Sequence, residues 1–317
     1  KIKIVSGLIL SIFFLNNRIA QGQSPDASTY QPAELFSPVF FTSPGNERHS
    51  ANGDPGLAYW QNRSDYQINA VLDTVRNELT ASERITYTNN SHDSLTYVWL
   101  QLDQNIYKSD ARSQLAGRAT AGAYTAGYVL DSVFIQYGNS LHKAEYVVND
   151  TRMQIRLPRV LSPRGGRLQI FIKYRYGIPG AFGGRTDYFN TKNGKIYEIA
   201  QWYPRLCVYD DEIGWNTLPF LGSGEFYLEY GDIDYRVTVP HNMILGGSGE
   251  LMNPEEVLTP TEISRLKKAA NSDKTIMIRT AEEVNNPHST PMRQGASSRH
   301  FRMANTRDVA FGASSSY

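Results

Sequence analysis

A chain of 317 residues with a formal net charge of +1 has room for one large domain or two small ones. Its Lys and Arg are scattered rather than gathered into a stripe, which argues against a nucleic-acid binder that must neutralise phosphates. An apolar share of 40 % fits a folded globular chain and not a disordered one.

Lys1 and Lys3 precede an apolar run from Ile4 to Leu15, and Ala20 to Gly22 supplies small residues. The run is too short to span a bilayer comfortably, so residues 1–22 read as a cleavable export signal. The expected location is periplasmic or extracellular, with no stable membrane insertion after cleavage. Residues 23–58 contain Pro25, Pro32, Pro38, Pro44 and Pro55, a spacing that prevents regular structure and reads as a linker or wrapped arm. Cys207 is the single cysteine. It cannot form an internal disulfide, and it reads as a small buried hydrophobe.

Folded structure is expected from Tyr59. Tyr66, Ile68, Ala70 and Leu72 alternate with polar residues, the period of a half-buried strand. Strands are predicted at Leu79 to Tyr87 and Leu95 to Leu102, joined by the polar turn Asn89 to Asp93. Lys108 to Gly127 reads as an irregular loop. Further strands are predicted at Tyr128 to Tyr137, Glu145 to Asn149, Met153 to Leu157 and Leu168 to Tyr176. Asn193-Gly194 between Tyr188-Phe189 and Ile196-Tyr197 signals a two-residue hairpin.

That hairpin feeds the stretch from Glu198 to Pro240, which is dense in aromatic residues, acids and glycines. Trp202, Tyr203, Trp215 and Phe220 are candidates to plug a core. Ile233, Tyr235, Val237 and Val239 alternate in a strand that Pro240 ends. Thr259-Pro260-Thr261-Glu262 is a capping box with proline at the first helical position, so a short helix follows. Strands are expected again at Thr275 to Thr280, Arg299 to Ala304 and Arg307 to Phe311. Many short strands with one inserted helix predict an all-β, mostly antiparallel sandwich.

None of the six histidines has H-E-x-x-H spacing, and none pairs with Cys207 at metal-ligand spacing. No nucleophile elbow or phosphate loop occurs. Asp210, Asp211 and Glu212 offer oxygen ligands that suit calcium, or they are simply a solvated loop. No metal is expected to be bound by this chain.

Three segments carry a resemblance to a family. They are Asp65 to Asn105 (DYQINAVLDTVRNELTASERITYTNNSHDSLTYVWLQLDQN), Ile196 to Asn216 (IYEIAQWYPRLCVYDDEIGWN) and Asn305 to Tyr317 (NTRDVAFGASSSY). Together they resemble the N-terminal domain of the aminopeptidase N family of zinc metallopeptidases, the gluzincins, and especially a secreted bacterial branch. The resemblance covers Tyr59 to Tyr317. It implies a saddle-like β-sandwich, with the zinc site in a following thermolysin-like domain that is absent from this chain. Peptide substrates would be met through that domain, and this chain alone would be inactive.

One residue role is implied here. The family's first domain contributes a Gln or Glu that faces the substrate's free amine, a few residues before an Arg. Gln201, followed by Arg205, matches that arrangement, and its side chain is expected at a sheet edge outside the core. The family's common Pro-Cys before the next Asp is not reproduced. The competing reading is an exported, non-catalytic sandwich that binds carbohydrate or protein, favoured by the many tyrosines.

Overall fold

The computed structural model describes residues 45–115, 124–180, 184–223, 227–284, 286, 289, 291 and 295–315. The predicted export signal and most of the arm lie outside the described residues. The chain forms two compact units, Lys1–Tyr59 and Trp60–Tyr317. In the first, the Asn46 side chain accepts hydrogen bonds from the backbone N–H of Arg48 at 2.7 Å and of His49 at 2.9 Å. A single bridge pairs His49 with Pro55.

The second unit is built of short strands. Its first three are β1 (Arg63–Asp73), β2 (Glu78–Asn89) and β3 (Leu95–Gln101), followed by a one-turn helix, α1 (Arg112–Leu115). Next come β4 (Val129–Tyr137), β5 (Ser140–Lys143), β6 (Glu145–Asn149), β7 (Arg152–Leu161) and β8 (Gly166–Gly177). The hairpin β9 (Thr186–Thr191) and β10 (Gly194–Ile199) leads into β11 (Arg205–Leu206), β12 (Tyr209–Asp210) and β13 (Gly214–Trp215). β14 (Gly231–Pro240), β15 (Ile244–Gly247) and β16 (Glu250–Leu251) precede the helices α2 (Pro254–Val257) and α3 (Pro260–Ala269). β17 (Ala296–Thr306) and β18 (Phe311–Ser314) come last.

An eight-stranded sheet runs in the order β16-β17-β14-β1-β2-β8-β4-β5. Two four-stranded sheets have the orders β15-β18-β10-β9 and β11-β3-β7-β6, and β12 pairs with β13 alone. The fold is therefore all-β and mostly antiparallel, as the alternation implied. The exception is central: β1 pairs β14 in parallel, with Ile68 opposite Tyr235. One face of the large sheet makes the core. Ile68, Leu79, Ile85, Ile170, Tyr174 and Tyr235 lie on it, each at most 1 % exposed. Burial of each such apolar side chain stabilises the fold by roughly 1.5–3 kcal/mol.

Several local expectations shift. The turn between β9 and β10 is Lys192-Asn193, because Thr191 pairs Gly194, so glycine opens the strand with φ 133°. The capping box at Thr259 is formed: its hydroxyl accepts from the Glu262 N–H, and the Glu262 carboxylate accepts from the Thr259 N–H. Thr275 to Thr280 is not a strand. Instead Arg265 donates to the Ile278 carbonyl at 2.9 Å, and Arg279 pairs with Glu262 at 2.8 Å, so the segment is tied to α3 by side chains. Arg307 to Ala310 likewise stays outside a strand, and β18 begins at Phe311. Among the described residues no helix is long and apolar enough to cross a membrane.

Candidate functional site

The connection from β10 to β11, residues 200–204, is where the sequence reading placed its one candidate residue. β10 ends at Ile199, and Gln201 takes the left-handed conformation with φ 52°. That region costs a residue with a Cβ roughly 1–2 kcal/mol, so neighbours must hold it. They do so at the backbone. Gln104, on the 3₁₀ turn Asp103–Tyr107, donates to the Gln201 carbonyl and to the Thr186 hydroxyl, each at 2.9 Å. The Tyr128 hydroxyl reaches the same carbonyl at 3.4 Å, and the Thr186 hydroxyl donates to the Ala200 carbonyl.

The next residues are fastened as firmly. Trp202 is fully buried, its indole N–H donates to the Val309 carbonyl at 2.9 Å, and its ring meets Phe311 edge-on at 5.3 Å. The Tyr203 hydroxyl donates to Asp308 Oδ1 at 2.9 Å. Arg205 is gripped from two sides, by Asp103 through Nη2 and by Asp308 Oδ2 through Nη1 at 2.6 Å. Burial opposes its charge, but the two carboxylates outweigh that and hold the guanidinium pKa above its ordinary value. The Leu206 N–H donates to the Tyr66 hydroxyl at 3.0 Å, which joins the connection to β1.

Gln201 itself is 3 % exposed. The expectation of a side chain outside the core is therefore corrected as to exposure: Gln201 is buried, and its carbonyl is held by Gln104 and Tyr128. The Gln201 Nε2 is buried with no hydrogen-bond partner. Gln104 Oε1, Asp103 Oδ1 and Arg205 Nε, all from the same contact network, share that condition. Buried unpaired polar atoms are uncommon and costly, which makes each one a pointer to strain, water or function.

Glu83 is a neighbour that the sequence reading missed. It stands on the inward face of β2 between Ala81 and Ile85, 3 % exposed, with both carboxylate oxygens unpaired. Burial, with no partner to offset it, pushes its carboxyl well above the ordinary range and favours the neutral acid. The signal was present: a carboxyl interrupts the apolar alternation Leu79, Ala81, Ile85, Tyr87. Asp103 and Asp308 carried no such signal, because neither breaks an apolar pattern.

The remaining candidates fall as follows. Trp202, Tyr203 and Phe220 are buried, and Trp215 packs against the core. Cys207 is buried, and burial pushes its thiol up to about 12. Asp210 uses its carboxylate in folding the loop tip. Oδ1 accepts from the N–H of Glu212 at 3.1 Å and of Ile213 at 2.9 Å, and Oδ2 accepts from the Tyr227 hydroxyl at 2.5 Å. Asp211 and Glu212 sit at the same tip, half-buried and exposed.

No protein-family profile matches the chain, and no curated protein sequence matches it. Solved structures do. The M1 zinc metallopeptidase from Deinococcus radiodurans is similar at 12 % identity and a TM-score of 0.38, over 82 % of this chain and 43 % of that one. A mutant of the enzyme from that organism, bound to a Tyr-Ser-Ala substrate, gives 13 % identity and a TM-score of 0.38 over 82 % and 44 % of the two chains. A two-domain M1 zinc metallopeptidase mutant bound to L-arginine gives 12 %, 0.38, 82 % and 44 %. The chain thus spans less than half the length of these structures.

Proposed function

We propose that this chain is the N-terminal β-sandwich domain of an exported zinc-dependent aminopeptidase, in which it shapes the end of the pocket that meets the substrate's free amine. The observation that supports this reading is Gln201: a strained residue, fixed at its backbone by Gln104 and Tyr128, whose side-chain Nε2 is buried without a partner. It lies four positions ahead of Arg205, as the residue role implied by the family resemblance requires. Strain of this kind persists only where its surroundings over-determine it, and it clusters at functional positions.

The chemistry assigned to this chain is recognition. The amide oxygen of Gln201 accepts a hydrogen bond from a protonated amine, and the walls around it stop a longer peptide from entering. Because Gln201 is 3 % exposed, this role requires its cover to shift when substrate or a neighbouring domain docks. Zinc belongs, on this reading, to a following domain, where it supplies Lewis-acid activation of carbonyl and water.

The test uses the protein encoded by the full reading frame. Hydrolysis of amino-acid anilides is measured with free and with acetylated amines, in parallel with zinc content. Gln201→Ala removes a hydrogen bond to a charged group, worth roughly 1.5–3 kcal/mol, so kcat/KM on free-amine substrates falls about ten- to a hundredfold through KM. Residual rates on acetylated substrates stay unchanged. A zinc-free protein with no hydrolysis sinks the peptidase reading. Equal losses on both substrate types sink the role of Gln201 alone.

A further inference from the structure

The outer face of the large sheet carries a second cluster of polar, cationic and aromatic side chains. Along one line across it, Gln67 of β1 stands opposite Arg84 of β2, Arg84 opposite Phe171 of β8, Phe171 opposite Phe134 of β4, and Phe134 opposite Lys143 of β5. Neighbouring strands lie about 4.8 Å apart, so this line is about 19 Å long. Lys173 and Asn69 lie one outward position further along their strands. Gln67, Arg84, Phe134, Phe171, Lys173 and Asn69 all line one open groove of about 440 Å³.

The charges of this face do not cancel. Four of its acids are already engaged, Asp65 and Asp232 with Arg63 at 2.6 and 3.0 Å, Asp131 with Arg175, and Asp234 with His300 at 2.9 Å, and exposed Glu250 lies at the far β16 edge. Arg84, Lys173, Lys143 and Arg236 have no carboxylate within ion-pair distance among the described residues. Arg84 donates to the Gln67 side-chain oxygen, which holds its guanidinium toward β1, while Lys173 stands on the Phe171 strand itself. The side chains on this face alternate with core residues, so nothing in the packing of the sandwich requires two Phe rings here. Phe134 and Phe171 are only half-buried.

From this juxtaposition we infer that the groove binds an anionic polysaccharide. Two phenyl side chains paired across adjacent strands offer apolar surface for the C–H faces of sugar rings. Gln67 and Asn69 both donate and accept, as hydroxyl groups require. Arg84 and Lys173 pair with acidic substituents, and charge-assisted bonds of that kind are the strong ones. A folded protein partner is a poorer fit. A stable interface needs about 800 Å² per side with an apolar centre, and the apolar part here is two rings. An extended polymer needs only a shallow, open groove lined in this way. The inference stands independently of the peptidase reading.

The test is affinity electrophoresis and calorimetry on the full chain, with polygalacturonate, neutral dextran and poly-L-glutamate as probes. Polygalacturonate is expected to bind, more weakly as salt rises, while dextran and poly-L-glutamate do not. Phe171→Ala and Lys173→Glu each weaken polygalacturonate binding about tenfold, the first through ring contact and the second through charge. Both positions are at the surface, and an unchanged thermal melt confirms folding. Failure to bind polygalacturonate overturns the proposal. So does equal affinity for poly-L-glutamate, which would show a face that reads charge alone and suits an acidic peptide. Self-association abolished by Lys173→Glu would overturn it too, by assigning the face to a second copy of the chain.

Discussion

Arg205 and Asp103 form an ion pair in which both side chains are 2 % exposed. With Asp308 as the third member, the triad joins the turn after β3, the start of β11 and the segment before β18. A buried charge in such a cluster is tolerable only while its partners remain. Asp103→Ala is therefore expected to destabilise the domain by about 3–5 kcal/mol, by leaving the guanidinium short of countercharge. Urea denaturation measures it, and a loss below ~1 kcal/mol would show that Asp308 alone suffices.

Gln201→Gly separates strain from recognition. Glycine adopts φ 52° freely, and the substitution also removes an unpaired buried amide nitrogen. Relief of the left-handed strain is worth about 1 kcal/mol, against which stands the lost packing of the side chain. The expected outcome is unchanged or slightly raised stability, in contrast to the usual cost of emptying a buried position. A loss above ~2 kcal/mol would mark the side chain as a packing element.

Glu229 gives a pH test. It is nearly buried, and burial pushes its carboxyl up to about 7, opposed by hydrogen bonds from the Tyr209 N–H and the Asn62 amide and aided by the nearby Asp210. The folded state thus holds this proton more tightly than the unfolded chain, whose ordinary value is 4.5. Stability from Glu229 is full below pH ~4.5 and is lost as pH rises through ~7. Glu83, pushed the same way by burial, adds to the slope. The thermal midpoint of the chain should be lower at pH 8 than at pH 5.5. Glu229→Gln should reduce the difference, by an amount on the order of 1–3 kcal/mol at most. An identical slope in wild type and variant would remove Glu229 from the account.

Cys207 is buried, with its thiol raised to about 12. The thiolate is the reactive form, so a thiol reagent at pH 8 should label the native chain only after denaturant is added. Rapid stoichiometric labelling of the folded protein would contradict both its burial and its role as a small core residue.

The site was partly legible in the sequence. Gln201, followed by Arg205, was singled out by the family resemblance carried in one local segment. Their partners Asp103, Tyr128, Thr186 and Asp308 come from distant parts of the chain, and no local pattern links them. Glu83 could have been found as the one acid on an apolar face.

What the sequence by itself determined is what neighbours along the chain decide. Period-two alternation marked the strands, because successive side chains must point to opposite faces. The capping box marked α3, because its two hydrogen bonds join residues three apart. Tertiary structure alone decided which strands meet. The parallel pairing of β1 with β14 depends on edges brought together by the whole fold. Thr275 to Thr280 has the apolar residues of a strand, yet Arg265 and Arg279 bind it to α3 instead. Burial was decided the same way: the resemblance implied an exposed Gln201, and the fold buries it beside Gln104 and Tyr128 from distant parts of the chain.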